Sequence, residues 1–213
     1  MKIKILLLLF LCLSSVLFSQ KSFEKSRIVA GVNWDLGVYK TEAYLNDFPT
    51  IKDDDGAVSS ITSVWGEYGV TNWLGIGLKI ARSKYFTEKD SVTNIQPTAA
   101  SNDIGLQLSF HPVRTKKFDL PLVIVLGSSG FKRKSNDVTN TMASDVGTFY
   151  NLSINPRLFF GEKARFGMNL KIGLAGYTYN SMDISDNHNS LSNVYTLTGK
   201  GVNFMFGFQY NIK

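Results

Sequence analysis

Asp35, Glu67, Lys79, Asp103, His111, Arg157 and Lys171 are far apart in the chain, yet each stands on the polar side of a segment in which polar and apolar residues alternate. Period-two alternation sends successive side chains to opposite faces of a strand. If the polar faces all point inward, the seven share one interior of nearly balanced charge. Charges taken out of water must pair, so the expected chemistry is a hydrogen-bonded plug of Glu67 and Asp35 with Arg157, Lys79 and Lys171, in the lumen that also holds Asp103. The functional variant is a gated conduit, in which switching one ion pair opens a narrow water path. His111, just before Pro112, is expected at the lumen edge or in a turn.

Three other clusters carry residue types that could do chemistry. His188 has Asp186, Ser185 and Ser190 close by, the types of an acyl-transfer triad, but a triad is defined by geometry, and Ser, Asp and Asn are also ordinary loop formers. Asp53, Asp54 and Asp55 before Gly56 suggest loose divalent-cation binding, although the remaining ligand spacing of an EF-hand, with its terminal glutamate, is missing. A solvated outer loop is the expectation there, and no metal site is assigned. Lys132, Arg133 and Lys134 are the only tight basic cluster; beside Gly130 and Ser135 they read as a polar loop, with lipid phosphate or lipopolysaccharide contact as the functional alternative.

Residues 1–19 read as a secretory signal peptide: a basic start at Lys2 and Lys4, an apolar run over 5–13, and small residues at Ser14, Ser15 and Ser19. The run is too short for a membrane-spanning helix, and no later stretch is continuously apolar for the roughly 20 residues one needs. Cys12, the single cysteine, leaves with the signal; without small residues just before it, it does not read as a lipidated anchor. A mature chain without cysteine excludes disulfides, thiolate nucleophiles and Cys-ligated zinc. The formal charge of +6 includes the two signal lysines and is otherwise scattered, so no nucleic-acid partner is expected, and no cofactor either.

The elements that must position these residues are strands. Alternation runs through 27–39, 58–70, 73–81, 102–111, 146–160 and 165–180, and through the last twelve residues, where Val202, Phe204, Phe206, Phe208, Tyr210 and Ile212 share one face and Asn203, Gly207, Gln209 and Asn211 the other. Residues 120–131 are apolar on both faces as far as Leu126, which fits a buried strand or a helix segment; length and neighbours favour the strand. That makes an even count of eight strands after a short N-terminal segment, 20–26, with short turns at 71–72, 112–119 and 161–164. Four long polar loops are expected at 40–57, 87–101, 132–145 and 181–200. Polar faces inward and apolar faces outward, with short connections at one end and long ones at the other, is the pattern of an all-β, antiparallel, up-and-down transmembrane barrel. It must close, because an open edge at bilayer depth would leave a row of backbone polar groups unpaired. Trp34, Tyr68, Trp73, Tyr150, Phe160, Phe166 and Tyr210 are the expected aromatic girdle.

The hairpin Glu67-Tyr68-Gly69-Val70-Thr71-Asn72-Trp73-Leu74-Gly75-Ile76-Gly77 and the aromatic C-terminal strand resemble the outer-membrane β-barrel domain family, the small barrels built like outer-membrane proteins A, X and W. The likeness covers 27–213. It departs from the pattern in ending on Ile212-Lys213, where such barrels usually end on an aromatic residue read by the assembly machinery, and in having no peptidoglycan-binding domain after the barrel. The resemblance implies an integral outer-membrane protein of a Gram-negative cell envelope, a monomer in contact with outer-membrane lipid, lipopolysaccharide and the barrel-assembly machinery. Its expected role is structural or surface recognition through the four loops, without catalysis. The alternatives are a narrow, porin-like gated channel for small solutes or ions and, third, a lipid A-modifying barrel enzyme.

Overall fold

The computed structural model describes residues 22–50, 52–89, 96–135, 141–161, 163–185 and 189–212. The signal peptide with Cys12, and Asp186 and His188 of the loop cluster, lie outside the described residues. Nine strands form one antiparallel sheet: β1 (Ile28–Leu45), β2 (Lys52–Gly69), β3 (Leu74–Tyr85), β4 (Thr98–Arg114), β5 (Phe118–Lys134), β6 (Thr141–Ile154), β7 (Arg157–Phe160), β8 (Phe166–Ser185) and β9 (Ser190–Asn211). Each pairs with its neighbours in chain order, except that β6 and β7 do not pair with each other. β1 pairs with β9, Val32 opposite Phe208 and Val38 opposite Val202, so the first and last strands close the ring. Among the described residues no helix is long and apolar enough to cross a membrane.

The ring has eight positions, because β6 and β7 occupy one. Both pair with β5 on one side and β8 on the other. The single strand expected over 146–160 is interrupted at Asn155-Pro156, since proline has no N–H to give to the ladder. The gap is bridged by Asn155 N donating to Pro121 O and Leu170 N donating to Pro156 O.

Residues 120–131 are a strand throughout. Leu122, Ile124 and Leu126 point outward and are exposed, while Val123 and Val125 are buried in the lumen, which explains an apolar character on both faces. The turn expected at 112–119 is shorter than that. β4 runs on through Pro112 to Arg114 over a register shift between Phe110 and Val113, leaving a tight turn in which Thr115 N donates to Phe118 O. The turn at 161–164 places Gly161 at φ 76°, a left-handed conformation open to glycine at no steric cost.

The larger correction concerns the four long loops. In 40–57, 132–145 and 181–200 most of the described residues are strand, and in 87–101 strand begins at Thr98. β9 has 22 residues and β1 and β2 have 18 each, against the 9–11 or so that cross a bilayer. Asp53, Asp54 and Asp55 therefore stand on β2 and alternate between its faces, so consecutive carboxylates point apart and do not form a calcium loop. Lys132, Arg133 and Lys134 end β5 and alternate likewise.

The apolar band runs right round the ring. Its upper edge runs through Val38, Val58, Ile80, Ile104, Leu126, Tyr150, Leu174 and Val202, all exposed on the outer wall, and Val38 lies opposite Val58, Ile80 opposite Ile104, Leu126 opposite Tyr150, and Leu174 opposite Val202. The same band exposes Phe204, Phe206, Tyr210 and Ile212. Water does not tolerate a continuous apolar wall of this extent, whereas a hydrocarbon core requires one. At the turn end Tyr68, Trp73, Phe160, Phe166 and Tyr210 rim the band, with Trp73 edge-on to Phe110 at 5.4 Å. Tyr150 stands at the opposite edge. Trp34 does not belong to either rim: it faces outward in the middle of the band, opposite Phe206.

Candidate functional site

The period-two pattern turns all seven expected ionisable residues inward, and Asp35, Glu67, Lys79, Asp103, His111, Arg157 and Lys171 are buried. They do not form one network. They divide into three tiers along the barrel axis.

The tier at the turn end is built on Glu67. Arg157 Nη2 donates to its Oε2 at 2.8 Å, Ser109 Oγ at 2.8 Å and Gln107 Nε2 at 3.0 Å, while His111 Nε2 lies 2.7 Å from Oε1. The other ring nitrogen of His111 lies 2.9 Å from both carboxylate oxygens of Asp119, and Arg157 Nη1 returns to Asp119 at 3.7 Å. With a carboxylate against each ring nitrogen, His111 donates from both and is an imidazolium in this arrangement. Two anions and two cations thus close a ring, with all four side chains fully buried. Arg157 also lies over the Trp65 ring at 4.7 Å, and Phe23 stacks on His111 at 3.5 Å with an interplanar angle of 4°. The N-terminal segment therefore caps this end, held by Ser22 N donating to Thr115 O.

Glu67 fits because Gly75 stands beside it: a Cβ there would lie 2.6 Å from Glu67 Oε1, whose carboxylate is held by its partners and cannot move aside. Gly75→Ala is expected to lower the stability of the folded barrel by about 1–3 kcal/mol, the usual cost of overpacking. Urea titration of the folded form in detergent checks it, and a wild-type midpoint would mean that the carboxylate shifts freely.

The middle tier is centred on Asp35. Lys171 Nζ donates to its Oδ2 at 3.4 Å, Asn203 Nδ2 donates to the same oxygen at 3.4 Å, and Lys79 Nζ lies at 3.7 Å. Asn151 Nδ2 donates to Asn203 Oδ1 at 3.1 Å, carrying the net across the lumen.

The third tier joins Asp103 to hydroxyls rather than to a cation. Ser129 Oγ donates to Asp103 Oδ1 at 2.5 Å, Tyr177 OH donates to Oδ2 at 3.4 Å, and Tyr179 OH shares a hydrogen bond with Ser129 Oγ at 2.7 Å. Above it lies an aromatic layer of Tyr39, Tyr85, Phe131, Phe149, Tyr177 and Tyr179, in which Phe149 stacks on Tyr177 at 5.9 Å and Tyr39 meets Tyr177 edge-on at 5.6 Å. This layer is the floor of a mouth cavity of about 360 Å³.

Asp119, Gln107 and Ser109 and the aromatic layer were not among the expected site residues. Gln107 and Ser109 share a face with Asp103 and His111, so the pattern held them. Asp119 was hidden in a segment read as turn. Tyr177 and Tyr179 continue the inward series Gly173, Ala175 and could have been found by extending the alternation past the bilayer. Of the loop cluster, Ser185 and Ser190 face each other at the β8–β9 tip.

No family model matches the chain, and no curated protein matches it. Solved structures do. The outer-membrane protein OprG from Pseudomonas aeruginosa is similar over 89% of this chain and 97% of its own, at 10% identity and a TM-score of 0.59. The outer-membrane protein AlkL, solved by solid-state NMR in DMPC bilayers, is similar over 90% and 92%, at 14% identity and a TM-score of 0.53. The outer-membrane protease OmpT from Escherichia coli aligns at 12% identity and a TM-score of 0.49, over 87% and 97%. The fold is that of the outer-membrane β-barrels.

Proposed function

Starting from an integral outer-membrane β-barrel, we propose a monomeric, non-conducting protein whose filled lumen is an internal strut and whose strands carry a recognition surface beyond the outer leaflet. The observation that supports it is the filling of the lumen. One cavity between the turn-end and middle tiers, among Trp65, Gln107, Lys79 and Lys171, has about 10 Å³, room for about one water molecule. A conducting path would need a continuous file of them. Eight-stranded barrels are only wide enough for side chains to fill, which agrees with this reading.

Short turns belong on the periplasmic side of such barrels and longer excursions outside, so the capped end with Phe23 is periplasmic and the aromatic mouth faces the exterior. Outer-membrane lipid covers the apolar band. The C-terminal strand, with Phe204, Phe206, Phe208, Tyr210 and Ile212 outward, is the segment offered to the assembly machinery. Catalysis has no part in this reading.

The test is single-channel recording in planar bilayers, on protein taken from an outer-membrane fraction and shown to migrate differently on detergent gels before and after boiling. The expected record is flat under either polarity. Reproducible current steps from that folded material would overturn the strut reading in favour of a channel, and absence of the boiling shift would remove the barrel itself.

A further inference from the structure

Above the apolar band, Arg82 and Lys84 on β3 and, beyond Ser128 and Gly130, Lys132 and Lys134 on β5 are exposed on the outer wall. The register sets Lys84 and Lys132 on either side of Ala100 of β4, Arg82 opposite Asn102, and Lys134 opposite Thr98. Adjacent strands are about 4.8 Å apart, so the two basic rows stand roughly 10 Å from each other across β4. The small residues Ala100 and Gly130 lower the wall between them, and with Phe86 and Pro97 above they enclose a groove of about 770 Å³.

Among the described residues the groove lining includes no carboxylate and none of the four cations is in an ion pair. This is not general at that height. On β1 the corresponding Lys40 is held by Glu42 at 3.3 Å and Asp54 at 3.0 Å, which favour its charged form and raise its pKa. Four mutually repelling cations around a groove, above a wall of Leu78, Ile80, Ile104, Leu106 and Leu126, match an amphiphile with an anionic head and apolar tails.

We propose that this groove binds a doubly phosphorylated lipid of the outer leaflet, one phosphate against Arg82 and Lys84 on β3 and the other against Lys132 and Lys134 on β5, with the acyl chains on the apolar wall below. Two separated cation pairs call for two separated phosphates, as on a disaccharide headgroup, rather than for one compact anion. The inference rests on the outer-membrane reading and on the orientation given above, which puts this face in the outer leaflet.

Native mass spectrometry of the full chain in detergent, with added diphosphorylated lipid A, monophosphorylated lipid A or phosphatidylcholine, tests it. The variants are one with all four cations changed to glutamine (R82Q, K84Q, K132Q and K134Q) and a control with K40Q and K200Q, each first checked for the boiling shift. Wild type and control should retain diphosphorylated lipid A, the monophosphorylated form more weakly and phosphatidylcholine not at all. A cation near a membrane surface contributes about fivefold to anionic lipid affinity, so the fourfold variant should lose most of the retention. Inorganic phosphate should not displace the lipid. Equal retention by the fourfold variant, equal loss in the control, or displacement by inorganic phosphate would each overturn the groove as a lipid site while leaving a boiling-shifted barrel in place. Loss of the boiling shift in the wild type would instead strike the barrel reading on which the groove depends.

Discussion

Arg157→Leu should lower the unfolding free energy of the barrel by about 3–5 kcal/mol, the range expected when one partner of a buried ion pair is removed. Arg157 touches Glu67 at 2.8 Å and Asp119 at 3.7 Å and covers Trp65. Without it, two buried carboxylates are left to His111 alone, one negative charge in excess, among side chains with no exposure to solvent. Leucine retains much of the volume, so the loss reports charge more than cavity. Glu67→Gln in the same chain removes the excess anion and should recover part of the loss, leaving the His111–Asp119 pair balanced. The cycle of wild type, both single variants and the double variant, measured by urea unfolding in detergent, isolates the coupling. A loss under about 1 kcal/mol for Arg157→Leu would show that water enters and solvates the carboxylates, and would count against the strut.

Leu106→Arg should cost about 2–4 kcal/mol in lipid vesicles, the price of placing a guanidinium at the midplane of a bilayer. Leu106 is 67% exposed and lies between Leu78 on β3 and Leu126 on β5, deep within the band. In a soluble protein a charge on so exposed a position would be harmless, so the sign of the effect separates a lipid-facing wall from a wet one. Thr148→Arg supplies the comparison. It is exposed on the outer wall one step above Tyr150, outside the band, and should cost roughly 0–1 kcal/mol. Equal effects at both positions would contradict the assignment of the band.

The transmembrane part of this fold was legible because each strand there obeys one rule without interruption. A lipid wall and a filled lumen demand opposite chemistries on alternate residues, and that demand names the inward residues one by one: Asp35, Glu67, Lys79, Asp103, Arg157 and Lys171 all face where alternation puts them. The pairing was less legible. Which carboxylate meets which cation depends on height along the axis, and height depends on the shear of the ring, which no single strand encodes. So Asp103, grouped by sequence with the charged residues, is satisfied by Ser129 and Tyr177, and Asp119 joins Glu67 through His111 because a register shift after Phe110 brings β4 and β5 into a tight hairpin. Above the band the rule changes. Lys52, Asp53, Asp54 and Asp55 are polar on both faces of a strand, and polarity on both faces is indistinguishable from loop in a one-dimensional reading, so these strand extensions carry the pattern of loops.

Those extensions bear on how the outer end would meet a partner. A loop that recognises something must first surrender its conformational freedom, at about 1–2 kcal/mol for each backbone residue that becomes fixed. Here the ladders of β1 with β2 and of β8 with β9 continue nearly to the tips, Tyr44 opposite Lys52 and Ser185 opposite Ser190, so most of that freedom is already given up during folding. Contacts formed on these walls would be entered by a preshaped surface, with little ordering left to oppose association. The same stiffness narrows the range of shapes the surface can accept, favouring one well-matched partner over many loosely held ones.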